Sequence, residues 1–101
     1  MIEVVATLKI ADGGMNEFLK KFNANCPAVR AEEGCIKYYP TVDAETDIDR
    51  QDRDPNVVVV LEKWKDADAL KAHLQAPHME AFRKEVGHLI ESATLKILTR
   101  A

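Results

Sequence analysis

Four side chains able to do acid–base or stacking chemistry, Glu62, Trp64, His73 and His78, fall within one segment, VVVVLEKWKDADALKAHLQAPHMEAF, from Val57 to Phe82. An imidazole titrates near neutrality and can take or give a proton. A carboxylate can orient a polar partner, and an indole offers an apolar face with one N–H donor. The segment opens with an apolar strand core, Val57 to Leu61, that runs into Glu62-Lys63-Trp64. A polar turn at Lys65-Asp66 and an amphipathic helix carrying His73 follow, and Ala76-Pro77-His78 restarts a second helix. All four side chains are therefore expected near one strand-to-helix junction.

Each candidate has a plainer use beside the chemical one. His73 lies three residues after Leu70 and next to Leu74, which sets it on the border of an apolar helix face. There it is either a polar group inside a pocket or a histidine hydrogen-bonded at the core's edge. His78 sits in the first turn after the break, where a local hydrogen bond could fix the turn. Glu62 and Trp64 share one strand face, two residues apart. Trp64 suits a packed core or interface position, and Glu62 suits an edge ion pair with Arg83 or Lys63. Tyr38 and Tyr39 point to opposite strand faces, so at most one can reach a given pocket. His88 is expected at the surface.

The elements that must position these groups follow from periodicity. Ile2, Val4, Ala6, Leu8 and Ile10 alternate with Glu3, Val5, Thr7 and Lys9, a period-two strand. Asp12-Gly13-Gly14 ends it. Met15, Phe18, Leu19, Phe22, Cys26 and Val29 recur at helical spacing, predicting a helix over 15–32, kinked in its last turns by Pro27, with Gly34 as its stop. Cys35 to Val42 reads as strand 2, Asp43 to Asn56 as a solvated acidic arm, and Val57 to Trp64 as strand 3. A helix over 66–75 turns Ala67, Leu70 and Leu74 inward. After Pro77 a further helix carries the stripe Met79, Phe82, Val86 and Leu89. Thr94 to Arg100 forms the last strand. The order is β-α-β-β-α-β with the second helix split, a ferredoxin-like α+β fold with a four-stranded antiparallel sheet and every helix on one face. Residues 1–101 make one domain. Strand 3 is apolar on both faces, so the bare side of the sheet is expected to pack against a second copy, giving a homodimer.

Composition narrows the function classes. The net charge of −3 leaves no footprint for nucleic acid or an anionic membrane. No apolar run could span a bilayer, and Met1 leads almost directly into a strand, so the cytoplasm is the expected compartment. Cys26 and Cys35, the only cysteines, read as reduced buried hydrophobes. The acidic arm fails as a calcium loop: Ile48 stands where that loop needs glycine, and Asp54 replaces the closing glutamate. No phosphate-cradling glycine loop, nucleophile elbow, dinucleotide fingerprint or metal triad is present.

Two strings carry a family resemblance. One is Glu-Glu-Gly-Cys ahead of a tyrosine-bearing strand, here Glu32 to Tyr39. The other is Glu-x-Trp, His, then Pro-His and Phe, here Glu62, Trp64, His73, Pro77, His78 and Phe82. Together with Ala72 to Met79 they resemble the antibiotic biosynthesis monooxygenase domain, in its quinol monooxygenase branch. That resemblance covers essentially the whole chain. It implies a homodimer that oxidises a small aromatic quinol or polycyclic phenol with O₂, without metal, flavin or haem. In this reading His73 is the base or a hydrogen-bond donor, and Tyr38, Glu62, Trp64, His78 and Phe82 form the substrate site. Haem-degrading relatives place Asn, Trp and His where this chain has Thr7 or Ala6, His73 and Arg83, which counts against haem. A branch that isomerises a small signalling sugar derivative, and a non-catalytic binding or dimerisation module, share the same frame.

Overall fold

The computed structural model describes residues 1–101. Its elements are β1 (Ile2–Ile10), α1 (Met15–Arg30), β2 (Cys35–Thr41), β3 (Val57–Trp64), α2 (Ala67–Gln75), α3 (Pro77–Val86), a 3₁₀ turn (Gly87–Leu89) and β4 (Ile90–Leu98). The sheet order is β2-β3-β1-β4, with every neighbouring pair antiparallel. This is the ferredoxin-like fold expected from the sequence, including the split helix. The break falls at Ala76, whose extended backbone (φ −62°, ψ 135°) ends α2, and Pro77 opens α3 where its missing N–H costs nothing. Asp66 caps α2, its carboxylate accepting from the Ala69 N–H at 2.8 Å.

Alternation along β3 divides the sheet. Val58, Val60, Glu62 and Trp64 are buried against the helices, while Val57, Val59 and Leu61 are half-buried on the opposite face. Phe18, Phe22, Cys26 and Val29 of α1 and Met79, Phe82 and Val86 of α3 close the core from above. The molecule measures 38 × 36 × 20 Å. That thickness holds one sheet and one helix layer, so the far face, where Val5, Leu61 and Tyr39 align across three strands and Val59 lies two residues along β3, has no cover of its own.

Several local expectations are corrected. Leu74 borders the space between helices and sheet but stays 40% exposed, and Ala67 faces solvent. Ala69, Leu70 and His73 form the inward face of α2 instead. β4 begins at Ile90, four residues before Thr94, and ends at Leu98. α1 runs without interruption through Pro27 and is capped at Ala31, whose N–H bonds the Pro27 and Val29 carbonyls. Gly34 therefore does not cap it. With φ +83° it turns the chain into β2, and a Cβ there would lie 2.6 Å from the Ala69 Cβ. The arm over 43–56 has no strand or helix. Its limbs are joined where the Asp43 carboxylate accepts from the Asp54 N–H at 2.7 Å and Gln51 Nε2 donates to the Ala44 carbonyl at 2.8 Å. Cys26 and Cys35 are both free, and no helix is long and apolar enough to cross a membrane.

Candidate active site

The helix break opens a cavity of about 280 Å³ between the sheet and α2–α3. Its walls are mostly apolar, from Leu8, Phe22, Val60, Met79, Phe82 and Val86 among others. Its polar groups are few: Tyr38 of β2, Glu62 of β3, His73 of α2, Arg83 of α3 and Thr94 of β4. A small volume with sparse polar groups suits a compact ligand that needs orienting at one or two points.

His73 is buried, at 2% exposure, and not on the core's border as its spacing suggested. Its ring centroid lies 4.7 Å from that of Trp64 and 5.4 Å from that of Tyr38, the tyrosine meeting it edge-on. Nδ1 is 2.9 Å from Glu32 Oε2. A carboxylate oxygen only accepts, so Nδ1 carries the hydrogen, and Nε2 of the neutral ring is left with its lone pair. His73 lines the cavity, and Nδ1 is the ring nitrogen tied to the carboxylate. Burial holds the imidazolium below the usual histidine range, against a smaller upward pull from Glu32. His73 is therefore neutral at pH 7 and able to accept a proton.

Glu62 stands opposite Tyr38 and Val4 across the sheet. It makes neither of the ion pairs considered for it. Its Oε1 accepts from Trp64 Nε1–H at 2.9 Å, and burial pushes its carboxyl above the usual carboxylate range. Tyr38 stacks on Phe22 with centroids 5.4 Å apart, and burial drives its phenol further up, so the O–H stays protonated as a donor. Phe82 packs against Phe22 and Phe18 at 5.8 and 6.4 Å and faces the same space.

Thus Tyr38, Glu62, His73 and Phe82 meet at one cavity. The other two residues do not line it. Trp64 is fully buried behind His73 and Glu62. His78 lies in the groove between α1 and α3, where its Nε2 is 2.9 Å from the same Glu32 oxygen that His73 uses. Glu32, in the turn after α1, belongs to the Glu-Glu-Gly-Cys string, which by itself assigns it no role. It lies 41 residues from His73 and 46 from His78 along the chain. No spacing rule signals that meeting; only the fold makes it. No three His, Cys, Asp or Glu side chains converge as a metal site.

The comparisons agree with this architecture. The antibiotic biosynthesis monooxygenase profile matches residues 1–85. The chain is 33% identical over 100 residues, 97% of its length and 96% of the relative's, to "Probable quinol monooxygenase YgiN" of Escherichia coli. Among solved structures, PA3566 from Pseudomonas aeruginosa superposes with a TM-score of 0.82 at 24% identity, over 99% of this chain and 93% of that one. An antibiotic biosynthesis monooxygenase gives 0.83 at 22% identity, over 100% and 99%. The inference drawn from the Glu62-to-Phe82 string thus stands on most of the chain's length: this protein belongs to the antibiotic biosynthesis monooxygenase family.

Proposed function

We propose that this protein is a cofactor-independent monooxygenase that oxidises a small aromatic quinol or polycyclic phenol with O₂, acting as a cytoplasmic homodimer. One observation carries the reading: a buried imidazole in the wall of an apolar, aromatic-walled cavity, with its Nδ1 tied to a carboxylate. The family membership and the relative named as a quinol monooxygenase support it. Nε2 of His73 takes a phenolic proton, and Glu32 steadies the imidazolium that forms. The quinolate, held against the apolar and aromatic wall, passes one electron to O₂. The semiquinone and superoxide combine as a C–O bond, and the peroxide takes back the proton from His73. The ring carbon then loses its C–H proton as the O–O bond breaks, forming the new carbonyl, and the hydroxide expelled takes that proton and leaves as water. The balance is quinol plus O₂ giving hydroxyquinone plus water, with the quinol as the only reductant. In this reading Tyr38 O–H and Glu62 hold the second oxygen of the ring and Phe82 stacks against it, and their shared position in the cavity wall supports those roles. Trp64 keeps Glu62 and His73 in place from behind. The dimer rests on the uncovered sheet face, where aliphatic side chains worth roughly 1.5–3 kcal/mol each on burial lie in contact with water in one chain alone.

The test is enzyme-dependent O₂ uptake on a 1,4-naphthohydroquinone with no added cofactor, under ¹⁸O₂. One labelled oxygen in a hydroxyquinone product is expected. Plain quinone with hydrogen peroxide would mean uncatalysed autoxidation only. Saturable binding without O₂ uptake would make the domain a binding module and refute the oxygenase.

A further inference from the structure

Glu32 Oε2 stands 2.9 Å from His73 Nδ1 and 2.9 Å from His78 Nε2. An oxygen that only accepts fixes a hydrogen on both nitrogens that face it. His78 is partly exposed in the α1–α3 groove, beside Glu17, Lys20 and Lys21 of α1 and Glu85 of α3. This invites a relay in which a proton taken by His73 passes through Glu32 to His78 and out to water. One feature argues against it. His78 Nδ1 is buried and has no hydrogen-bond partner. To receive a proton at Nε2, His78 would have to carry its hydrogen on Nδ1, where nothing accepts it, and a buried unpaired donor is costly.

We infer that Glu32 and His78 are positioning residues: His78 is a fixed donor that clamps the Glu32 carboxylate, and the clamped carboxylate locks His73 with its lone pair on Nε2, facing the cavity. This rests on His73 as the base proposed above. It assigns the proton a closed circuit. The proton that Nε2 takes from the quinol returns to the peroxide within the cavity, and none leaves through the groove. Besides Glu32 and His78, the groups near His73 that can titrate or carry charge are Glu62 of β3, Tyr38 of β2 and Arg83 of α3.

The chain has three histidines, and exposed His88 serves as an internal reference. Two-bond ¹H–¹⁵N spectra of the imidazoles across pH report the position of each hydrogen. In the wild-type protein His73 is expected as the Nδ1–H form and His78 as the Nε2–H form. Glu32→Gln should move the His73 midpoint down, because the imidazolium loses its carboxylate, and lower kcat about 10²-fold. His78→Leu should leave His73 in a mixture of tautomers and lower kcat about 10-fold with KM little changed. His78→Gln, which keeps an N–H donor, should restore the Nδ1–H form and most of kcat. His73 found as Nε2–H, His78 found as Nδ1–H, or a His73 tautomer indifferent to His78→Leu would each overturn the clamp. The wild-type spectra alone can do so if a variant fails to fold. They need no substrate, so an absence of quinol turnover would count against the reaction and not against the clamp.

Discussion

His73→Ala tests the proposed reaction directly, and the structure sets two magnitudes for it. The ring is 2% exposed, bonds a carboxylate, and lies against two aromatic side chains. Losing the hydrogen bond and leaving Glu32 half-satisfied costs about 1–3 kcal/mol, and each aromatic contact about 0.5–1.5 kcal/mol. Since these overlap, a net loss of about 2–4 kcal/mol is expected, in the range for truncating a large buried side chain. In a domain of this length that lowers Tm by roughly 10–25 °C. A histidine on the border of the core would have cost far less. Separately, removing the base should lower kcat about 10²-fold, near 2.7 kcal/mol in barrier height. His73→Phe separates the two, because it keeps the ring between Trp64 and Tyr38 and removes the lone pair. Melting by circular dichroism and O₂ uptake per folded molecule, on the same samples well below Tm, give both numbers. If His73→Phe turns over quinol at the wild-type rate, His73 is structural and the proposed chemistry is wrong.

Three further outcomes are expected. Val59→Asp, on the open face of β3, should convert a dimer into monomer or aggregate in analytical ultracentrifugation; a wild-type protein that is monomeric at micromolar concentration would refute the sheet-to-sheet interface. Glu62→Gln should gain stability over wild type as pH rises. The folded-state pKa of Glu62 is raised, so its contribution is complete below the unfolded value and is lost as pH climbs through the raised one; denaturant midpoints at pH 4.5 and pH 8 measure the difference, and equal midpoint shifts at both would refute it. Gly34→Ala should destabilise by about 1–3 kcal/mol on backbone strain alone, with the Ala69 contact adding to it, and an unchanged thermal midpoint would contradict the close approach.

Element order, sheet topology and the helix break were legible because each rests on local signals: alternation in Ile2 to Ile10, the helical stripe from Met15 to Val29, and proline after Ala76. Edges were less legible. Leu74 has an inward-facing spacing, but it stays 40% exposed at the border of the space between helices and sheet, so tertiary geometry overrides the period. The start of β4 was hidden because Glu91, Ser92 and Ala93 carry little apolar pattern, and every β4 residue after Ile90 is exposed. In the site, Tyr38, Glu62, His73 and Phe82 were readable as candidates, and the structure brings them to one cavity. Glu32 was not, since the two bonds that give it meaning span more than forty residues.

The close fit at Gly34 also has a consequence for recombination and engineering. The Gly34 carbonyl accepts from the Lys65 N–H at 2.9 Å, and its Cα abuts Ala69, one turn before His73. The turn bearing Glu32 and the helix bearing His73 are thus bolted together, and they travel as one block. A chimera that takes residues 32–35 from one relative must take 65–73 from the same relative, or re-space the carboxylate and the imidazole by the thickness of a side chain. The exposed arm over 43–56, which lies between those two pieces in the chain, can be exchanged, shortened or tagged without entering that block.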